Sequence, residues 1–470
     1  MKIRRRGSLL CREVALFLLV CGPIPASAQL LGPEFQVNSY TTLGQYRPAV
    51  AADSFGNFVV VWSDAAQEGA SASGVFGQGF DAYGAPLGGE FHVNSFTPAQ
   101  QRYPAIAASG SNNFLVVWDS DGQDGSARGI FGRRFSASGL PAGSELMVNT
   151  YTTGSQSWPA VATDANGFFV VVWSGAGLTD SSGVFGQRFN LAGSTVGNEF
   201  RVNTYTAGNQ QEAAVAADGL GNFVVVWASG GQDGNNYGVF GQRFDSVGTP
   251  FGGEFQVNTY TTQMQREPAV AADGAGNFVV TWISYGQDAA SNWGVFGQRF
   301  SSSGVKLGSE FPINSYTTSA QFLPAVTADG RGGFVVLWGG VGATDGVGVF
   351  GRRFDAAGGA VGGDFQVNAY TTNGQQYPAL ARTATGNFVV AWESYGQDGS
   401  TVGVFGRQMT TSLFQHGFET NPPFWSATTA NMCSGFCDGQ SSTGCYCDAL
   451  CGASGDCCLD ACQTCGYCGP

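Results

Sequence analysis

The sequence predicts an all-β chain: a seven-bladed β-propeller of four-stranded antiparallel blades, followed by a small disulfide-rich module. Three observations carry this. One block of 54 to 56 residues recurs seven times, each copy reads as four short strands separated by turns, and all cysteines beyond the N-terminal segment crowd into the last 38 residues.

Four motifs define the repeat. Glu34-Phe35-Gln36-Val37-Asn38 returns with Asn94, Asn149, Asn203, Asn258, Asn314 and Asn368 as its last residue. Pro48-Ala49-Val50-Ala51-Ala52-Asp53 returns at Pro104, Pro159, Pro268, Pro324 and Pro378, and in the fourth copy Ala213 takes the proline position. Phe58-Val59-Val60-Val61-Trp62 returns at Trp118, Trp173, Trp227, Trp282, Trp338 and Trp392. Gly74-Val75-Phe76-Gly77-Gln78 returns at Gly129, Gly183, Gly238, Gly294, Gly348 and Gly403.

In an extended strand Phe58, Val60 and Trp62 share one face, and Val59 and Val61 share the other. Both faces are apolar, so this strand is covered on both sides. Turn residues such as Asp53-Ser54-Phe55-Gly56-Asn57 separate the strands, and no segment keeps a helical period. Blades stacked radially cover one another's faces in this way. A β-solenoid is the competing architecture, but its coils are usually shorter and lack these alternating turns. The last copy stops after Arg407 without the strand that follows elsewhere. The Glu34–Asn38 strand is expected to supply it and close the ring, removing a free edge.

The N-terminus reads as a secretory signal peptide: basic residues at Lys2, Arg4, Arg5 and Arg6, an apolar run from Val14 to Val20, and Ala26-Ser27-Ala28 as the cleavage site. The expected organisation is 1–28 signal peptide, 29–409 propeller, 410–431 linker and 432–470 cysteine module. The signal segment holds five of the 21 basic and one of the 34 acidic residues, leaving 16 and 33, a net charge of −17. Such a chain repels phosphate backbones, which argues against nucleic-acid partners. No run of about 20 apolar residues predicts a transmembrane span. Only 12% of residues are charged, against ~25% typically, so the surface is largely Ser, Thr, Asn, Gln and Gly. The expected location is secreted, extracellular or on the outer cell surface.

Of 12 cysteines, Cys11 and Cys21 lie in the signal segment. The other ten are Cys433, Cys437, Cys445, Cys447, Cys451, Cys457, Cys458, Cys462, Cys465 and Cys468. Export favours disulfides for all ten over a zinc site at Cys462-x2-Cys465-x2-Cys468.

The repeat block over residues 34–409 resembles one found in many secreted bacterial proteins of unassigned role. The pattern Cys433-x3-Cys437-x7-Cys445-x-Cys447-Asp448-x2-Cys451-x5-Cys457-Cys458-x-Asp460-x-Cys462 resembles a somatomedin B domain, which implies a protein-binding knob with four disulfides. Cys465 and Cys468 are extra to that pattern and its last spacing is short, so the pairing at its end stays open. Residues 414–426, with Gly417-Phe418-Glu419, look like a short segment common near the ends of exported bacterial proteins.

A feature present in every copy serves packing, whereas a binding site breaks the symmetry. The glutamines Gln45, Gln101, Gln156, Gln210, Gln265, Gln321 and Gln375 occur in all seven copies, so a backbone hydrogen-bonding role is expected. Asp119, Asp121 and Asp124, close together after Trp118, form a calcium candidate, since calcium takes six to eight oxygens. Trp158, Tyr237 and Trp293 break the symmetry and are candidates for sugar or peptide contact. His92 and His416 are far apart, and there is no nucleophile elbow, metal-spaced histidine cluster or phosphate loop. Glu212, Glu267 and Arg266 could still meet across blades.

Three function classes follow. The leading one is a monomeric binding protein that recognises an extracellular protein or glycan. The second is a glycoside hydrolase or lyase acting on extracellular polysaccharide, and the third a structural surface component. Acids and arginines gathered at one channel mouth would favour the enzyme. An aromatic patch would favour binding.

Overall fold

The computed structural model describes residues 32–409 except 70–72, 111, 289–291 and 343–344, together with the short strands Gly439–Gln440 and Tyr446–Cys447. The chain divides into two compact units, Met1–Leu413 and Phe414–Pro470. In the second, the two short strands pair antiparallel, Gly439 opposite Cys447. Apart from the backbone of Cys447, the ten cysteines lie outside the described residues, and so do the expected signal peptide and linker.

The first unit is a seven-bladed propeller of seven four-stranded antiparallel sheets, with no helix among the described residues. Blade one runs outward through Gln45–Ala52, Phe58–Asp64, Gly74–Phe80 and Phe91–His92. Blades two to six repeat this order, with inner strands Gln101–Ala108, Gln156–Thr163, Gln210–Ala217, Gln265–Ala272 and Gln321–Ala328. Blade seven comprises Gln375–Arg382, Phe388–Tyr395 and Val402–Met409, and its outer strand is the N-terminal Phe35–Gln36. Phe35 pairs with Gly406 and Gln36 with Phe405, so the two ends of the repeat region close the ring as expected.

The double-sided apolar strand explains the packing. Val59 and Val61 enter a core shared with Phe114, Val116 and Trp118 of blade two. Phe58, Val60 and Trp62 enter one shared with Val389, Ala391 and Val404 of blade seven. The result is seven inter-blade cores rather than one centre. All seven recurrent tryptophans are buried in them.

The recurrent polar residues tie the blades together. Each recurrent asparagine accepts from a third-strand amide of its own blade, such as Val75 to Asn94 at 2.7 Å and Val404 to Asn38 at 2.8 Å. In six of the seven its amide donates to the glutamine that begins the next inner strand, as Asn258 does to Gln265 at 3.2 Å. That glutamine also donates to backbone carbonyls, Thr262 for Gln265 at 2.9 Å, so the structural role read for it holds. The glutamate before the recurrent phenylalanine clamps the preceding blade: Glu199 accepts from the Thr150 amide at 2.6 Å and hydroxyl at 2.8 Å, and Glu254 does the same for Thr204. Glu34 makes this clamp across the closure, accepting from the Ala369 amide.

Candidate ligand pocket at one mouth of the channel

Each inner strand carries a bulge at one end. The register breaks between Tyr46 and Ala49 in blade one, and at the equivalent place in the other six. The residue before the proline position has positive φ in every blade: Arg47 +54°, Tyr103 +54°, Trp158 +55°, Glu212 +59°, Glu267 +52°, Leu323 +54° and Tyr377 +54°. None is glycine, so each pays a conformational cost of about 1–3 kcal/mol. Proline lacks an N–H and suits a bulge on an edge strand. Bulges re-aim side chains, and here the seven re-aimed residues, one per blade, line a common cavity of about 450 Å³ on the channel axis.

This ring abandons sevenfold symmetry. Going round it, blades seven, one, two and three supply Tyr377, Arg47, Tyr103 and Trp158. The Arg47 guanidinium carbon lies 4.4 Å from the Tyr377 ring centroid and 4.7 Å from that of Tyr103, and its Nη2 donates to the Tyr377 hydroxyl at 3.1 Å. Trp158 meets Tyr103 edge-on at 6.2 Å and is 37% exposed. Blades four and five supply Glu212, Glu267 and Arg266, the last paired with Glu212. Leu323 of blade six completes the ring, and prolines form much of the remaining lining. Nearer the other end of the inner strands, a cavity of about 490 Å³ is lined largely by Ala, Val and Gly, with Asp273 and Arg382.

The bulge also explains the carboxylates. It frees a backbone N–H that points at an acid of the preceding blade. Arg47 donates to Glu393 Oε1 at 2.7 Å, Glu267 to Glu212 Oε2 at 2.9 Å and Leu323 to Glu267 Oε2 at 3.0 Å. Both oxygens of Glu212 are therefore engaged. Burial pushes the Glu393 carboxyl up to about 7 against the Arg47 N–H, Gln376 and the Arg47 guanidinium, which favour its charged form. Burial, with repulsion from Glu212, also raises Glu267. Asp119, at the blade-two position equivalent to Glu393, is fully buried with neither oxygen in a hydrogen bond of ordinary geometry. Burial pushes it to about 7 despite Arg128 and Arg102 nearby.

Of the three aromatic candidates, the structure brings Trp158 to this mouth. Tyr237 stands behind it, its ring 5.1 Å from the Arg266 guanidinium. Trp293 is elsewhere, packed edge-on against Tyr285 at 5.2 Å and beside the core between blades five and six. Glu212, Glu267 and Arg266 do meet across blades. The three aspartates do not form a cation cage. Asp121 is paired with Arg102 and Arg128, which supply the positive charge a cation would bring. Asp124 caps its own turn by accepting from the Ser126 amide and also accepts from Asn149 at 3.3 Å. Among the described residues no group of three or more His, Cys, Asp or Glu side chains converges as a metal site.

Arg47, Tyr103, Leu323, Tyr377 and Glu393 escape the sequence reading. A signal for four of them exists: the residue before the proline position reads Arg, Tyr, Trp, Glu, Glu, Leu, Tyr through the seven copies, varied chemistry inside a nearly invariant motif.

Fold and pocket together define a seven-bladed β-propeller with an asymmetric axial pocket. No protein-family model matches the chain, and no curated protein does. Similar solved structures include a protein of unknown function from Dyadobacter fermentans DSM 18053, at 12% identity over 81% of this chain and 98% of that one, TM-score 0.45. The α-L-arabinanase of Penicillium chrysogenum, complexed with arabinobiose, is similar at 14% identity over 70% and 97%, TM-score 0.47. The NanB sialidase of Streptococcus pneumoniae is similar at 10% identity over 81% and 70%, TM-score 0.44. None of them lends its activity to this chain.

Proposed function

We propose that this is an exported saccharide-binding protein whose site is the axial pocket. The observation that carries the reading is the asymmetric ring, with an aromatic arc of Tyr377, Tyr103 and Trp158 facing the polar group Glu212, Arg266 and Glu267. A sugar ring offers an apolar C–H face to aromatic side chains and hydroxyls to charged hydrogen-bonding groups, so it needs both. The volume falls within the usual range for small-ligand sites. The signal peptide and the low-charge surface fit an extracellular glycan. A glycan array probed with the full chain tests it. Binding is expected, and Trp158→Ala should weaken it at least tenfold. No binding to any saccharide overturns the reading.

One observation favours a second reading, glycoside hydrolysis. Glu267, raised by burial, and Glu212, paired with Arg266, are two neighbouring carboxyls in unlike environments, as general acid and charged partner require. Against it, both Glu212 oxygens are held by the protein. Release of new reducing ends, abolished by Glu267→Gln with binding retained, would establish this reading. Intact oligosaccharide after prolonged incubation would dismiss it. The cysteine module is proposed as a second, protein-binding contact surface. A pull-down comparing the full chain with one ending at Ala430 reads that role separately.

A further inference from the structure

We infer that the saccharide taken by this pocket is an acidic one, a uronic-acid unit whose carboxylate sits on Arg47; this rests on the saccharide reading above. Four charged residues line the pocket: Arg47, Glu212, Arg266 and Glu267. Glu212 and Arg266 neutralise each other. Among the described residues no carboxylate lies within 4.0 Å of the Arg47 guanidinium, although one lies behind its backbone. A guanidinium has five N–H donors in a flat fork that matches a carboxylate. Among the described residues its one side-chain hydrogen bond, to the Tyr377 hydroxyl, uses a single donor.

The two tyrosine rings flank the guanidinium, and the Tyr377 hydroxyl accepts one of its N–H groups. Arg47 therefore loses little rotamer freedom when it takes up an anion, and although Glu393 and Glu267 lie near enough to feel its charge, neither forms a direct ion pair with its guanidinium. The groups facing it are Tyr103 and Tyr377 from the flanking blades, Glu393 beneath its backbone and Glu267 across the pocket. Glu393 is spent on the Arg47 N–H and faces Gln376 with its other oxygen. Glu267 keeps one oxygen beyond its bond to Leu323. When protonated, that carboxyl donates to a sugar oxygen instead of repelling the ligand. A pyranose stacked on the Trp158 ring beside Tyr103 thus meets a cation on one flank and a carboxyl on the other. Hydroxyls alone would leave the Arg47 charge uncompensated on closure of the site, whereas a carboxylate pairs with it in a charge-assisted, two-point hydrogen bond.

The test is calorimetric titration of the full chain with oligogalacturonates and with neutral arabino- and xylo-oligosaccharides of equal length. The oligogalacturonate is expected to bind at least tenfold tighter than either neutral sugar. Arg47→Met should remove that advantage, so that the oligogalacturonate binds no tighter than the neutral sugars. Arg47→Lys keeps the charge but not the fork, and should fall between them. Thermal midpoints of both variants confirm that the ring is intact, which the backbone role of residue 47 leads us to expect. Equal or tighter binding of the neutral sugars, or an unchanged oligogalacturonate affinity in a folded Arg47→Met protein, overturns the inference and leaves the saccharide reading standing. Absence of binding by all three sugar types overturns both.

Discussion

Asn258→Ala isolates one of the seven polar ties. Asn258 is buried, accepts from the Val239 N–H at 2.8 Å, and donates to the Tyr260 carbonyl at 2.9 Å and to Gln265 Oε1 at 3.2 Å. Truncation strands the amide of Val239 and the side-chain oxygen of Gln265, both fully buried. Each stranded group costs about 1–3 kcal/mol. The Tyr260 carbonyl is only partly buried and water can replace its partner. A loss of about 3 kcal/mol follows. With an unfolding entropy of about 2.1 cal/mol/K per residue over roughly 380 residues, the melting midpoint should drop by about 4 °C. Calorimetry and guanidinium unfolding of the full chain read both quantities. Asn235→Ala, on an exposed loop, is the control and should stay within about 0.5 kcal/mol. An Asn258→Ala protein as stable as that control would show that the recurrent asparagine does not tie the blades.

Two further perturbations follow from the same physics. The Glu393 carboxyl is raised by burial from 4.5 to about 7. The folded chain therefore holds a proton that the unfolded chain has released, and this contribution is complete below about pH 4.5 and lost as pH rises through about 7. Wild type should lose a few kcal/mol more than Glu393→Gln across that window in parallel denaturant titrations, and identical pH profiles would refute the assignment. Gly241 leaves room for the Phe255 ring, and a Cβ there would come within 2.7 Å of it. Gly241→Ala should cost about 1–3 kcal/mol, whereas Gly253→Ala, with nothing within 4 Å, should cost almost nothing; equal unfolding midpoints would argue against this packing.

The ring was legible because seven copies of one sequence impose one packing seven times. Phe58, Val60 and Trp62 on one face and Val59 and Val61 on the other already state that two neighbours are needed. The missing last strand similarly pointed to closure by Glu34–Asn38. The pocket was much less legible. It takes one residue from each copy, about 55 apart in sequence, and only the backbone bulge before each proline turns them to the axis. Trp158 stood out by size, while Arg47 and Tyr377 looked like ordinary strand residues. The surroundings of the aspartate run were hidden for a related reason. Asp124 belongs to a recurrent loop position that caps its turn and meets the recurrent asparagine, and Asp121 lies between two arginines that sequence spacing does not bring together.

Tryptophan fluorescence tests the central claim most directly. The seven recurrent tryptophans are buried at 0–1% exposure, whereas Trp158 is 37% exposed at the channel mouth. Titration of the full chain with oligosaccharide should shift and quench the emission, and Trp158→Phe should abolish that response while the protein stays folded. A saccharide response of equal size in the Trp158→Phe protein would contradict the account and place binding away from the axial pocket.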